Sequence, residues 1–284
     1  MVAARPLIGY LSSMRIIRFI PEGTSHPLHG VELDNGMAVP LTGPLFDHPM
    51  PSDREPMRID RILAPISPPA ILCIGMNYRA HATEQGLEPP QRPVLFIKNP
   101  AAVVGPGEAI VVPQVCQDRE QVDFEGELAV VIGRRCRDVR ASEAVNHILG
   151  YTVANDVSAR WWQKSGSGGQ FCRGKSFDTF CPLGPAIVTP DELRDPAQLR
   201  LQTRVNGETM QDANTEDMIF SVPDLIAFLS QGTTLLPGTV ILTGTPSGVG
   251  FARKPPVWLQ HGDAVEIEIE QIGTLKNRVR FEAP

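Results

Sequence analysis

Short apolar runs that stop at glycine, proline or asparagine fill the middle of this chain, and they constrain its fold more than any other feature. AILCIG, PVLFIK, AIVVP, ELAVVIG, ILGYTVANDV, LRLQTRVNG, TVILTG and AVEIEIEQIG are each of strand length and rich in β-branched residues. With 25 glycines and 27 prolines in 284 residues, interruptions come too often for long helices. Helical spacing is confined to about 79–86, 141–148 and 222–230, with a further turn opening at Asp191 after Pro190. Helices interrupt the strands without alternating with them. That excludes a doubly wound parallel sheet and predicts an α+β chain that is mainly β. No internal repeat and no low-complexity tract is present.

The N-terminal part has its own pattern. Residues 14 to about 45 alternate and turn often, and Asn35-Gly36 after Asp34 favours a hairpin. FDHPMPSDREPMRIDRILAPISPPA, rich in proline and charge, reads as a connecting segment over the surface. The expected partition is an N-terminal extension and small β domain with its linker over 1–65, then a main domain over 66–284. Residues 1–13 carry arginine and no acid, but Pro6 interrupts any amphipathic helix. They are expected to be a loose extension rather than a targeting segment.

A net charge of -6 gives no reason to expect nucleic acid or an anionic membrane as partner. No apolar run approaches the roughly 18 residues needed to cross a bilayer. The five cysteines (Cys73, Cys116, Cys136, Cys172 and Cys181) form no C-x-x-C pair, which points to a reducing, cytoplasmic setting.

The chemistry concentrates in DFEGELAVVIG. Glu125 and Glu127 stand two apart at the head of a strand, so both point to one face. Adjacent carboxylates repel unless a proton or a cation lies between them. An edge strand facing solvent is the plain alternative, but YTVANDV brings a third acid, Asp156, to a strand end. Three hard oxygen donors without nearby histidine or cysteine suit Mg²⁺, Mn²⁺ or Ca²⁺ better than Zn²⁺. In NYRAHATEQG, His81 and Glu84 share a helical face three residues apart, which is either a solvated turn or a general-base pair.

GQFCRGKS, residues 169–176, matches the phosphate-loop pattern G-x-x-x-x-G-K-[ST]. Its context fails: the preceding RWWQKSGSG is polar and flexible, and Pro182, Gly184 and Pro185 follow in place of a helix. A nucleotide-binding module is therefore a weak alternative, and Lys175 is better used as a cation beside the carboxylates. Gln163 offers either a neutral hydrogen-bonding group or surface decoration. LTGTPSGVG, with Thr245, is a tight turn that either meets a ligand or is structural.

CIGMNYRAHATEQG, VDFEGELAVVIG, GYTVANDVSARWWQ, GKSFDTFCPLGPAIVT, RVNGETMQDANTEDMIF and LPGTVILTGTPSGVGFARKPPVWLQHGD, taken in this order, resemble the fumarylacetoacetate hydrolase family. The likeness covers about residues 70–270 and is nearest to the branch of acylpyruvate hydrolases, oxaloacetate decarboxylases and hydroxyheptadienedioate isomerases. It implies a mixed β-roll core and a homodimer. It also implies a divalent metal (Mg²⁺ or Mn²⁺, with Ca²⁺ as a substitute) on Glu125, Glu127 and Asp156. His81 and Glu84 become the catalytic dyad under a lid, Lys175 a catalytic and substrate-binding cation, and Gln163 and Thr245 further substrate contacts. The expected activity is hydrolysis of the C3–C4 bond of a 2,4-dioxo acid, such as an acylpyruvate or fumarylpyruvate, through a metal-bound pyruvate enolate. Decarboxylation of an oxaloacetate-like acid and isomerisation of a 2-hydroxyhepta-2,4-diene-1,7-dioate-like acid are the alternatives, since the same enolate serves all three. A catalytically silent metal-binding scaffold is a more distant one.

Overall fold

The protein is described by a computed structural model covering residues 14–47, 49–193 and 195–283. The expectation of a loose extension over residues 1–13 lies outside the described residues. All eight runs picked from the sequence contain strands, and the predicted helices appear at Arg79–Glu84, Ala141–His147 (as 3₁₀) and Val222–Ser230.

One large sheet runs in the order Leu28–Leu33, Met37–Thr42, Met57–Leu63, Arg15–Pro21, Cys181–Val188, Ile148–Asn155, Gly126–Ile132, Val240–Leu242, Ile71–Gly75, Val94–Lys98. A second sheet runs Glu208–Asn214, Arg200–Val205, Ala264–Ile269, Gly273–Phe281, Ala109–Val112. Both mix parallel and antiparallel neighbours, as in the parallel pairing of Val240–Leu242 with Ile71–Gly75. The chain is α+β and mainly β.

The Asp34-Asn35-Gly36 hairpin forms, with Leu33 opposite Met37 and Gly36 at φ 73°. Met57–Leu63, in the stretch read from sequence as a connecting segment, is a strand paired to Arg15–Pro21; its alternation, MRIDRIL, was masked by the charges around it. Arg15 and Ile16 in turn pair with Val188 and Ile187, so the N-terminal strands continue the main sheet.

Gly126–Ile132 is buried along its whole length, which is why it reads as one apolar run rather than an alternation. Leu128, Val130 and Ile132 pack in one cluster with Leu201 and Ile267 of the second sheet and Leu225 and Ile226 of the long helix. Ala129 and Val131 face the opposite cluster with Ile16, Ile71 and Leu242. The helix Val222–Ser230 is closed by a reciprocal capping box between Ser221 and Asp224. Further elements escaped the sequence reading, the strand Gly273–Phe281 among them. Cys181–Val188 is hidden by two prolines and a glycine, Glu208–Asn214 is polar, and residues 160–175, read as flexible, form the short helices Arg160–Gln163 and Phe171–Lys175.

Candidate active site

The antiparallel register of two neighbouring strands assembles the acids. Gly126 stands opposite Asn155 and Glu127 opposite Ala154, and the Asp156 amide donates to the Glu125 carbonyl at 2.9 Å. Glu125, Glu127 and Asp156, all buried, each bring a carboxylate oxygen within 4.8 Å of the others. Gly126 between the two glutamates is required by packing: a Cβ there would lie 2.2 Å from Thr203 Oγ1. Its amide donates to Gln211 Oε1 at 2.9 Å, so the second sheet holds the E-x-E turn from behind.

Three buried cations surround these acids. Lys175 Nζ donates to Glu125 Oε2 and Asp156 Oδ2, both at 2.7 Å. Lys98 Nζ donates to Asp156 Oδ1 at 2.5 Å and to the Val157 carbonyl. Arg160 Nη1 lies 2.7 Å from Glu125 Oε1, while its Nε and Nη2 donate to Asp123 Oδ2 at 2.9 and 2.6 Å. Asp123 also accepts the amides of Gly250 and Phe251.

Burial alone would push Glu125 up, but the Lys175 ammonium and Arg160 guanidinium outweigh it and hold the carboxyl well below the usual range. Burial drives Glu127 upward, and the neighbouring Asp156 and Glu125 add to it. Burial would lower Lys175, but Asp156 and Glu125 raise it, so the amine stays charged. Cys181 lies close enough to feel Lys98 and Asp156, and burial pushes its thiol up to about 12, out of reach of nucleophilic chemistry.

Among the described residues, Glu127 is the acid of the three without a lysine or arginine partner; it accepts the Gly244 amide at 2.7 Å. The cluster is thus short of positive charge on the side of Glu127. A divalent cation fits this donor set: three converging hard oxygens with one uncompensated carboxylate.

His81 and Glu84 form the pair their spacing suggested. His81 Nδ1 and Glu84 Oε2 are 2.9 Å apart, and Glu84 Oε1 accepts the Gly248 amide at 2.8 Å. Burial would raise Glu84, but the bonds from His81 and Gly248 win and lower it. Gln85 Nε2 sits 2.7 Å from His81 Nε2.

A cavity of about 380 Å³ is bordered by His81, Glu125, Glu127, Gln163, Lys175 and Thr245 together. Asp156 lies behind its wall, bound to the two lysines. Gln163 Oε1 accepts from Arg160 at 3.1 Å, so its amide N–H₂ is what it offers a ligand. The Thr245 hydroxyl donates to the Gly126 carbonyl at 3.0 Å and accepts from Gln211 at 2.8 Å. Lys175, the lysine of the phosphate-loop pattern, is committed to two carboxylates instead of a glycine cradle.

Sequence reasoning missed Lys98, Asp123, Arg160 and Gln85. A signal existed for two of them. Lys98 closes the apolar strand PVLFIK, where a charge must find a partner, and Arg160 precedes Gln163 by one helical turn.

The chain matches the family Fumarylacetoacetate (FAA) hydrolase C-terminal over residues 70–280. It belongs to the fumarylacetoacetate hydrolase family. This member is 50% identical over 218 residues, 76% of the chain and 68% of the relative, to "Oxaloacetate tautomerase FAHD2A, mitochondrial" of Bos taurus. It is 42% identical to "Oxaloacetate tautomerase fahd2, mitochondrial" of Xenopus laevis, over 94% of the chain and 90% of that protein. Among solved structures it is similar to 2-hydroxyhepta-2,4-diene-1,7-dioate isomerase from Mycobacterium marinum, with TM-score 0.80, 43% identity, and coverage of 96% of this chain and 100% of that one. The 5-carboxymethyl-2-hydroxymuconate delta-isomerase structure from Mycobacterium smegmatis gives 0.81 at 40% identity, over 95% and 100%. The chain is therefore an enzyme of the fumarylacetoacetate hydrolase family, acting on small organic acids.

Proposed function

We propose that this enzyme is a divalent-cation-dependent isomerase of small 2-oxo dicarboxylic acids, of the oxaloacetate type, that moves a proton between the enol oxygen at C2 and C3. The observation that carries the proposal is the opening of the His81–Glu84 pair and the carboxylate cluster on one cavity. The relatives' names supply the direction. Relatives at 50% identity are called oxaloacetate tautomerases, and structures at 40–43% identity are called isomerases. Those names support the isomerase alternative better than the C–C hydrolysis expected first.

Glu125, Glu127 and Asp156 would hold the ion, and Mg²⁺ or Mn²⁺ so held supplies Lewis acidity to an oxo acid. Glu84 fixes the His81 tautomer by accepting from Nδ1–H, which leaves Nε2 as the base that carries the proton. Gln85 donates to that nitrogen and yields it when a ligand arrives. Lys175 adds a fixed positive charge for the negative oxygen that develops at C2. Gln163 orients the acid through its amide N–H₂, and Thr245 lines the cavity while bracing the Gly126 carbonyl. Phe96, Phe171 and Phe251 border the same cavity and keep water scarce.

The proposal extends to a reducing compartment, in keeping with five free cysteines; the relatives' names, which say mitochondrial, make the mitochondrion as eligible as the cytoplasm. Among the described residues no helix is long and apolar enough to cross a membrane. A homodimer is part of the same proposal, and light scattering measures it.

The test follows loss of enol absorbance from oxaloacetate beside pyruvate release from oxaloacetate and from acylpyruvates, with Mg²⁺, Mn²⁺ or chelator. Enol conversion is expected to have the highest kcat/KM and to vanish with chelator. Faster pyruvate release from an acylpyruvate would return the reading to hydrolysis.

A further inference from the structure

The cations around the carboxylates are already spent. Lys98, Lys175 and Arg160 each touch at least one buried acid, and Arg160 uses all three of its nitrogens. A dicarboxylic ligand whose oxo-acid end meets the cluster still needs positive charge for its second carboxylate. Among the described residues bordering the cavity, Lys164 is the one lysine or arginine without an acid in ion-pairing distance. Its ammonium stands 4.8 Å from the centre of the Phe251 ring, and Arg160 Cζ stands 4.5 Å from the same ring. The ring therefore spaces a free cation from the guanidinium that grips Glu125. The backbone carrying Lys164 is fixed, its amide donating to the Arg160 and Trp161 carbonyls and its carbonyl accepting from Gly169 at 2.6 Å.

We infer that Lys164 is a specificity-determining residue: it receives the distal carboxylate of the ligand and makes the enzyme prefer dicarboxylic over monocarboxylic 2-oxo acids. This rests on the 2-oxo acid reading above and adds which end of the acid is read, and by what. Phe251 suits the task, because its face holds the ammonium at the cavity wall. Glu88, also on the cavity border, is the acid that Lys164 would meet if it served as a rim latch instead.

The experiment is calorimetric binding of 2-oxoglutarate and of 2-oxopentanoate, matched in length and differing in the distal carboxylate, with Mg²⁺ present. Wild type is expected to bind the dicarboxylate more tightly. Lys164→Gln should shrink that preference about 5-fold, the scale of one partly solvated charge pair, and Lys164→Arg should keep it. An unchanged preference in Lys164→Gln overturns the assignment while leaving the 2-oxo acid reading intact. An equal loss for both ligands overturns it too, since a latch to Glu88 acts on every ligand alike; Glu88→Gln should then give the same equal loss. Binding of neither acid to wild type overturns the 2-oxo acid reading, and the assignment with it.

Discussion

The carboxylate cluster and the helix that carries His81 border one cavity but are built by opposite means. The acids sit at the ends of two adjacent central strands, buried, with three cations bonded among them. His81 rides on the six residues Arg79–Glu84, a helix without a side-chain N-cap. That helix is tied down by Arg79 to the Asp217 and Met218 carbonyls, by the Ala80 amide to the Asp217 carboxylate, and by Glu84 to the Gly248 amide. The charge-holding half of the site is thus inseparable from the core, while the half proposed to move the proton is an attachment. Damage to the first should unfold the protein; damage to the second should silence it.

The sharpest way to break this contrast is His81→Ala. Enol conversion is expected to fall about 10²- to 10⁴-fold, the usual contribution of a general base, with only a small drop in the urea midpoint. Loss of stability comparable to that of a cluster variant would erase the distinction. Lys98→Met comes next. It strips a buried partner from Asp156 and should cost about 3–5 kcal/mol in urea denaturation, as is common for a half-removed buried ion pair.

Gly126→Ala should cost about 1–3 kcal/mol through overpacking against Thr203. It should also diminish the thermal stabilisation by Mg²⁺, expected in wild type to be about 2.7 kcal/mol at a concentration 100 times Kd. A variant as stable as wild type with its Mg²⁺ response intact would show that the second sheet does not brace the acids.

The smallest effect concerns pH. Glu84 is lowered in the folded protein, so its contribution is present above the unfolded carboxylate range, near pH 4.3, and is lost as pH falls through the folded value. Glu84→Gln should therefore lower slightly the neutral plateau of a stability–pH curve and flatten its acid side, so that variant and wild type converge at low pH.

This contrast also decides what could be read beforehand. Acids two apart before an apolar run, and a histidine three before a glutamate, are local patterns that spacing alone displays. The cations are not local: Lys175 stood out from its glycine-rich stretch although it meets Glu125 across 50 residues, whereas Lys98, which meets Asp156 across 58, did not. Gly126 explains itself only once Thr203 and Gln211 are seen behind it. The strands with steady β-branched content were legible, whereas Cys181–Val188 and Met57–Leu63 take their strand state from neighbours that outweigh proline and charge.

Gly126 has one more consequence, for the order in which the enzyme is assembled. The three acids are all in the chain by residue 156, but the support behind them arrives with Thr203, Gln211 and Thr245. A polypeptide cut after residue 199 would contain all three acids and still lack the wall that makes them converge. If the acids hold an ion as proposed, its capture would report a completed tertiary structure, and metal uptake during refolding would be a clock for the docking of the two sheets.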